Sequence, residues 1–464
     1  MGDEATLDEF TTESNQDTPN KEQDAVGLEQ EQFGPFTLSA PGDWTAKRLG
    51  DIKRLITRGK QPTYDDNGVP VINQECIYWD GWHFENLRYL NEEVAEGWKN
   101  KYFPQSGDII LNSTGQGTLG RAQVYPDNDR RAIDSHVTLL RTDEELNPYF
   151  HRYFLESRLG QALLYSMCVN GSTGQIELSK TRLDLLPIPF PPLEEQRKIA
   201  TVLYTVDQAI QKTEEIGKQT KRVKQGLAQK LIHTGIEDCE TRKTWMGEIP
   251  VHWDVQELSE IVEFSQNGIY KQEDEYDGDY PIIKMGDIFG GVTLDQPIKE
   301  AVRLTDEEID KYATKAGDLV FARHAQAGWG AGDCTYVPEM KKPAVIESNM
   351  VQVRLNHEVK PLFYAQYFNN EIGVKSIKRI TTTGNIKSIS QGDLMNLKVP
   401  IPPEEEQKEI AKALTLFDEQ ANHSESEVER LRRFKQGLMQ DLLSGAVRTH
   451  EAAIPDETLQ PKQA

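Results

Sequence analysis

Pro191-Pro192-Leu193-Glu194-Glu195-Gln196-Arg197-Lys198-Ile199-Ala200 returns 211 residues later as Pro402-Pro403-Glu404-Glu405-Glu406-Gln407-Lys408-Glu409-Ile410-Ala411. Each copy opens a long helical pattern. Prolines fix the chain before the first turn, and acids there offset the positive end of the helix dipole. Lys224-Gln225-Gly226-Leu227 recurs at the same offset as Lys435-Gln436-Gly437-Leu438. Working outward, Gly107-Asp108-Ile109-Ile110 matches Gly317-Asp318-Leu319-Val320, and Thr173-Gly174-Gln175-Ile176 matches Thr383-Gly384-Asn385-Ile386. Trp44, before Lys47-Arg48-Leu49, matches Trp253, before Gln256-Glu257-Leu258. A period near 210 residues is too long for a solenoid unit, so the chain is a tandem duplication of a two-part module.

The first part of each module alternates short apolar runs, such as Val69-Pro70-Val71-Ile72 and Pro281-Ile282-Ile283, with Gly/Asp turns. Helical stretches (Tyr149 to Leu164, Leu362 to Ile377) interrupt them. That pattern predicts an α+β (α/β-like) domain. In the second part, apolar residues step by three and four. The stripe runs through Ile199, Leu203, Val206, Ile210, Val223 and Leu227, and again through Ile410, Leu414, Phe417, Leu431, Phe434 and Leu438. One such stripe is ordinarily a helix packed on its own domain. Two matched stripes of about 40 residues, roughly 60 Å long, predict an antiparallel coiled coil between them. Gly226 and Gly437, inside these helices, suggest close helix approach or a local break.

The expected segments are an acidic disordered tail (1–35), a first mixed domain (36–190), a central helix (191–236), a second mixed domain (237–403), a distal helix (404–448) and a disordered tail (449–464). The first 32 residues hold ten acids against Lys21, so the tail supplies nine units of the net charge of −23. A salt-adapted host or a basic partner would account for the remainder. Four scattered cysteines without a Cys-x-x-Cys pair argue against a zinc ribbon or disulfide framework. No apolar run spans a bilayer and no secretory signal opens the chain, so a cytoplasmic location away from membranes is expected.

Gly115-Gln116-Gly117-Thr118-Leu119-Gly120 has the spacing of a dinucleotide loop. A strand-like Arg121-Ala122-Gln123-Val124-Tyr125 follows where a helix is needed, so a turn is expected. Asn147-Pro148-Tyr149-Phe150 is similar to an adenine-methyltransferase motif but lacks its second proline; here Pro148 is read as a helix start. No zinc-hydrolase, deaminase or P-loop spacing occurs. No catalytic residue and no metal ligand is singled out.

From about Phe36 to Arg448 the chain resembles the specificity subunits of type I restriction–modification systems. The resemblance rests on the two Pro-Pro-x-Glu-Glu-Gln-x-x-Ile-Ala openings, the two Lys-Gln-Gly-Leu segments, and Gly247-Glu248-Ile249-Pro250 before Trp253. It implies a non-catalytic, DNA-binding subunit whose two target-recognition domains read the halves of a split, asymmetric site in double-stranded DNA. Its helices would dock two methyltransferase subunits, and in larger assemblies two restriction/translocase subunits. S-adenosylmethionine, ATP and Mg would sit on those partners, with no cofactor on this chain. Competing readings are a coiled-coil scaffold with two protein-interaction modules, and a self-contained methyltransferase.

Base edges are read chiefly by Arg, Lys, Asn and Gln. Candidate DNA-binding residues on polar, Gly-flanked segments are Arg58, Lys60, Gln61, Asn112, Thr114, Gln116, Arg121, Thr173 and Gln175 in the first module. In the second they are Asn267, Tyr270, Lys271, Arg323, His324, Gln326, Thr383 and Asn385. For each one alone, a solvated loop is the competing reading. The basic runs formed by Lys198, Lys212, Lys218, Lys221, Arg222, Lys224 and Lys230 in the first helix, and by Arg430, Arg432, Arg433 and Lys435 in the second, are read as solvated helix faces or as sites for phosphate or an acidic partner.

Overall fold

The computed structural model describes residues 28–33, 36–171, 176–237, 239–289, 291–326, 330–382 and 386–449. The chain divides into two compact units, residues 1–213 with 427–464, and residues 214–426. The expected cuts at 190/191 and 403/404 are therefore not where packing divides the chain. The central helix (Leu193–Thr234) and the distal helix (Glu404–Leu443) are each continuous, and each contributes one half to each unit.

In the first unit, an antiparallel sheet is built from β1 (Lys53–Arg58), β3 (Ile109–Asn112), β4 (Ala122–Val124) and β6 (Val137–Thr142), in the order β4-β3-β6-β1. A smaller sheet pairs β2 (Val69–Ile72) in parallel with β5 (Ala132–Ile133). Helix α1 (Pro148–Glu156) starts at Pro148, with the Asn147 side chain accepting from the N–H groups of Tyr149 and Phe150. Gly115, Gly117 and Gly120 take positive φ in the turn between β3 and β4, so the dinucleotide-like spacing is a turn that leads into a strand.

The second unit repeats the plan. β7 (Val262–Asn267), β9 (Leu319–Ala322), β10 (Cys334–Tyr336) and β12 (Met350–Leu355) run in the order β7-β12-β9-β10. β8 (Tyr280–Ile283) pairs in parallel with β11 (Val345–Ile346), and α2 spans Pro361–Phe368. The repeated Gly-Asp is structural in both. Gly107 and Gly317 turn the chain at φ +90° and +94°, and the buried Asp108 and Asp318 each accept a two-pronged hydrogen bond from Arg141 and Arg354.

The motif that opens each helix is a latch. Trp44 Nε1 donates to Glu195 at 3.0 Å, and Trp253 Nε1 donates to Glu406 at 3.1 Å. Gln196 accepts from the Asn147 N–H and donates to the Pro191 carbonyl, while Gln407 accepts from the Lys360 N–H and donates to Pro402. Burial of Glu195 opposes its ionisation, but hydrogen bonds from Arg448 and Trp44 hold its pKa below the usual value.

Of the predicted seam, Ile199, Leu203, Val206, Ile210, Ile410 and Leu414 are buried, and Leu227, Phe417, Leu431 and Leu438 are half-buried. Val223 and Phe434 lie off it, 53% and 57% exposed. The straight helix advances 3.6 residues per turn, so a regular three-four step drifts off the buried face. The next residues, Lys224 and Lys435, turn inward instead.

Within the first unit Lys435 meets Asp207 of the central helix at 2.7 Å and Glu156 of α1 at 2.6 Å. Arg152 pairs with the same two acids at 3.1 and 3.0 Å. Within the second, Lys224 meets Asp418 of the distal helix at 2.5 Å, and Gln366 of α2 donates to the same carboxylate. Lys221 pairs with Glu425. At least these members of the basic runs are thus partnered between antiparallel helices.

Three further expectations are corrected. Residues 28–33 form a hairpin with 36–41, because ladder hydrogen bonds need no apolar side chains; residues 1–27 lie outside the described set. At the other end Arg448 binds Asp43 and Glu195, and Thr449 is buried, so the last helix is tied down beyond Leu443. A Cβ on Gly226 or Gly437 would meet nothing within 4 Å, and both helices run unbroken, so neither close approach nor a break explains these glycines. Gly226→Ala and Gly437→Ala should each stabilise the chain by about 1 kcal/mol. A calorimetric melting temperature that falls instead would contradict this reading.

His151 on α1 is fully buried, and neither ring nitrogen has a hydrogen-bond partner among the described residues. Burial without a counter-charge pushes its pKa down to about 3, from 6.5 in an unfolded chain. The neutral form is the folded one, so its contribution is intact above pH 6.5 and shrinks as pH falls below it. Between pH 7 and pH 5 the loss should be about 2 kcal/mol. His151→Leu should show a smaller acid shift in melting temperature than the parent chain; an equal shift would exclude the histidine as the cause.

Candidate nucleic-acid interface

Antiparallel pairing places the ends of β1 and β3 and the starts of β4 and β6 at one end of the first unit's sheet: Arg58 faces Thr138, Asn112 faces Val137, and Leu111 faces Ala122. Segments 59–61, 113–121 and 134–136 therefore gather there. Gly59 makes this possible, since a Cβ would lie 2.0 Å from the Asp134 carbonyl. In the second unit Gly268 occupies the same place, 2.1 Å from the Glu347 carbonyl.

The candidates have different environments. Lys60, Gln61 and Gln116 are exposed at this end. Gln61 accepts a hydrogen bond from Ser135, and Thr114 shares one with His136 at 2.8 Å. Arg121 lies over the Tyr78 ring, 4.9 Å from its centroid. Arg58 is engaged internally, donating to the Leu178 carbonyl at 2.8 Å and pairing with Glu177. Asn112 is fully buried and donates to the Gln74 carbonyl, so it anchors a loop. Thr173 and Gln175 lie outside the described residues.

In the second unit, Asn267 is exposed and Tyr270 is 76% exposed. Lys271 differs: its side chain is 4% exposed and its amine sits 2.9 Å from both Glu275 and Glu308. Arg323 and His324 are half-buried where β9 leads into strand His324–Gln326, which pairs with Ile386–Ser388. Gln326 lies in that strand, opposite Ile386. Thr383 and Asn385 fall outside the described residues.

A cavity of about 280 Å³ opens at the same end of the first unit, lined by Gln61, Tyr64, Asn73, Gln74, Glu75, Arg88, Asp134 and His136. Tyr64 donates to Asp134 at 2.9 Å. Burial raises the Asp134 pKa against hydrogen bonds from the His136 N–H and Tyr64, and burial beside Asp134 pushes the Tyr64 phenol well up. Amide, imidazole, guanidinium and carboxylate groups supply the donors and acceptors that distinguish base edges. Asn73, Gln74, Arg88, Asp134 and His136 were not among the sequence candidates. The signal for two of them was present: Asn73-Gln74 directly follows the apolar run of β2. Among the described residues no cluster of three or more His, Cys, Asp or Glu could hold a metal ion. No described helix is long and apolar enough to cross a membrane.

Two domains of one plan, each with a polar, loop-built sheet end and each latched to a long helix, define a duplicated recognition protein. The family model for the type I restriction modification DNA specificity domain matches residues 41–222 and again 250–430, and the chain belongs to this family, whose role is DNA sequence specificity. It is 26% identical over 423 residues to the putative type I restriction enzyme MjaX specificity subunit of Methanocaldococcus jannaschii, covering 88% of this chain and 94% of that one. It is 22% identical to the type I restriction enzyme EcoKI specificity subunit of Escherichia coli, covering 88% and 89%. In fold it is similar to the crystal structure of the type I restriction–modification S subunit from M. genitalium, with TM-score 0.54 at 16% identity, covering 86% of this chain and 96% of that one.

Gly59→Ala and Gly268→Ala should each destabilise their own unit by about 2 kcal/mol or more, because the added methyl meets backbone. Hydrogen exchange confined to segments 57–61 and 133–137, or to 266–270 and 346–350, would locate the damage; wild-type protection in both variants would refute the close approach.

Proposed function

We propose that this chain is the non-catalytic subunit that reads a bipartite, asymmetric site in double-stranded DNA, one half by each unit. The observation that carries the asymmetry is the change of side chains on a shared backbone plan. The first unit offers Gln61 on a polar cavity, with Thr114, Gln116 and Arg121 on segment 113–121 at the same sheet end, whereas the second offers Tyr270, Arg323 and His324. Amide and guanidinium edges suit hydrogen-bonded readout, and an exposed tyrosine suits apolar or stacking contact. Different chemistry at equivalent places selects different half-sites.

In this reading the paired helices dock two methyltransferase subunits and, in larger assemblies, two restriction/translocase subunits in the cytoplasm. S-adenosylmethionine, ATP and Mg bind those partners. The family's DNA-specificity role disfavours the scaffold reading. Methylome sequencing of the source strain with the gene intact and deleted should lose one split, asymmetric methylated motif on deletion. A palindromic motif would contradict the two-unit asymmetry, and an unchanged methylome in a strain expressing the complex would contradict the function.

A further inference from the structure

In a chain of net charge −23, one cluster of cations stands without acids of its own. Lys60, Lys99, Lys101 and Arg130 of the first unit are all exposed, and none forms an ion pair with a described residue. Lys60, Lys101 and Arg130 sit on a shared aromatic platform, and Lys99 directly follows Trp98 in the chain. The Lys60 amine lies 5.0 Å from the centre of the Trp98 ring, Trp98 packs edge-on against Tyr102 at 5.7 Å, and Lys101 lies 4.9 Å from Tyr102. The Arg130 guanidinium lies 5.0 Å from Phe103. Trp98, Tyr102 and Phe103 all pack on the core beneath β2 and β5. The neighbouring Arg131 is different, being paired to Asp127 and Asp129. The three acids of the short helix Glu92–Glu96 are exposed and form no ion pair with the cluster.

The second unit keeps less of this arrangement: Lys311 lies 4.9 Å from the centre of the Tyr312 ring, as Lys101 does from Tyr102, but 210 residues on from Trp98 stands Glu308. There the lysine near the close-approach glycine, Lys271, is held by Glu275 and Glu308. The helix preceding β9 is Asp306–Tyr312, with acids Asp306, Glu307 and Glu308 in its first turn. The first unit thus gathers four open cations where the second keeps Lys311 and neutralises Lys271. Aromatic faces hold the long cationic side chains in place, which lowers the ordering cost of gripping a flexible anion.

We propose that Lys60, Lys99, Lys101 and Arg130 form a phosphate-gripping face of the first unit that binds the duplex backbone beside the bases read at the sheet end. This rests on the DNA-reading function above. The first unit then supplies more sequence-independent affinity than the second, and the two half-sites differ in salt sensitivity as well as in sequence.

The test uses the full chain assembled with its methyltransferase, titrated with a mixed-sequence duplex and with the duplex bearing the methylome-derived site, at several salt concentrations. Replacing Lys60, Lys99, Lys101 and Arg130 with Gln should weaken both duplexes about equally. It should also flatten the slope of log affinity against log salt by about one per lost contact. Replacing the four exposed lysines Lys299, Lys315, Lys341 and Lys342 of the second unit changes net charge equally and should alter that slope by less than about one. A version that keeps charge (Lys60→Arg, Lys99→Arg, Lys101→Arg, Arg130→Lys) should retain the wild-type slope and guards against misfolding. Equal slope changes from both Gln sets, or none from the first, overturn the proposal. Loss of methyltransferase assembly with DNA binding intact overturns it in favour of a protein partner. If the wild-type complex binds neither duplex, the reading function itself fails.

Discussion

In each unit one inward-facing lysine joins the two long helices. Lys435 reaches Asp207 on the antiparallel helix and Glu156 on α1, so a single ammonium ties together both helices and the recognition domain. Lys224 repeats the arrangement with Asp418, where Gln366 stands in for the domain's charged contribution. Both lysines are mostly buried, with side chains 10% and 17% exposed, so removing one partner would strand a charge in a poorly solvated place. Apolar seams tolerate slippage by a turn, whereas a buried charge has few places to go. We attribute the fixed register of the helices to these pairs.

The latch at each helix start makes the domain and the helix one body. Trp44 with Glu195 and Trp253 with Glu406 bond the chain entering each domain to the first helical turn, and Gln196 and Gln407 close the gap to α1 and α2. The sheet end proposed to read DNA therefore inherits its orientation from the helix. With the scaffold held this way, side chains at the sheet end are free to differ between units. The polar cavity of the first and the exposed Tyr270 of the second are products of that freedom.

The duplication, the mixed domains, the two long helices and the turn nature of the Gly115–Gly120 segment were all legible in the sequence. Each is a local or periodic signal: matched motifs, alternation, three-four spacing, and a strand where a cofactor loop needs a helix. The candidate interface was half legible. Gly-flanked polar segments gather at one end of the sheet, because glycines mark close backbone approach at Gly59 and Gly268. They did not separate exposed Gln116 from buried Asn112, nor open Lys60 from neutralised Lys271.

By itself, then, the sequence determined the repeat, the element types and the family, because those depend on spacing along the chain. Tertiary structure decided which residues of the repeated motifs matter. In Lys-Gln-Gly-Leu the lysine is the structural residue and the glycine is bystander, a distinction set by which side of a helix meets a carboxylate from another element. It also decided which cations stay available for an anion. Charge in a sequence is a sum, but an ion pair is a distance, and only folding brings Glu308 to Lys271 while leaving Lys60 over Trp98.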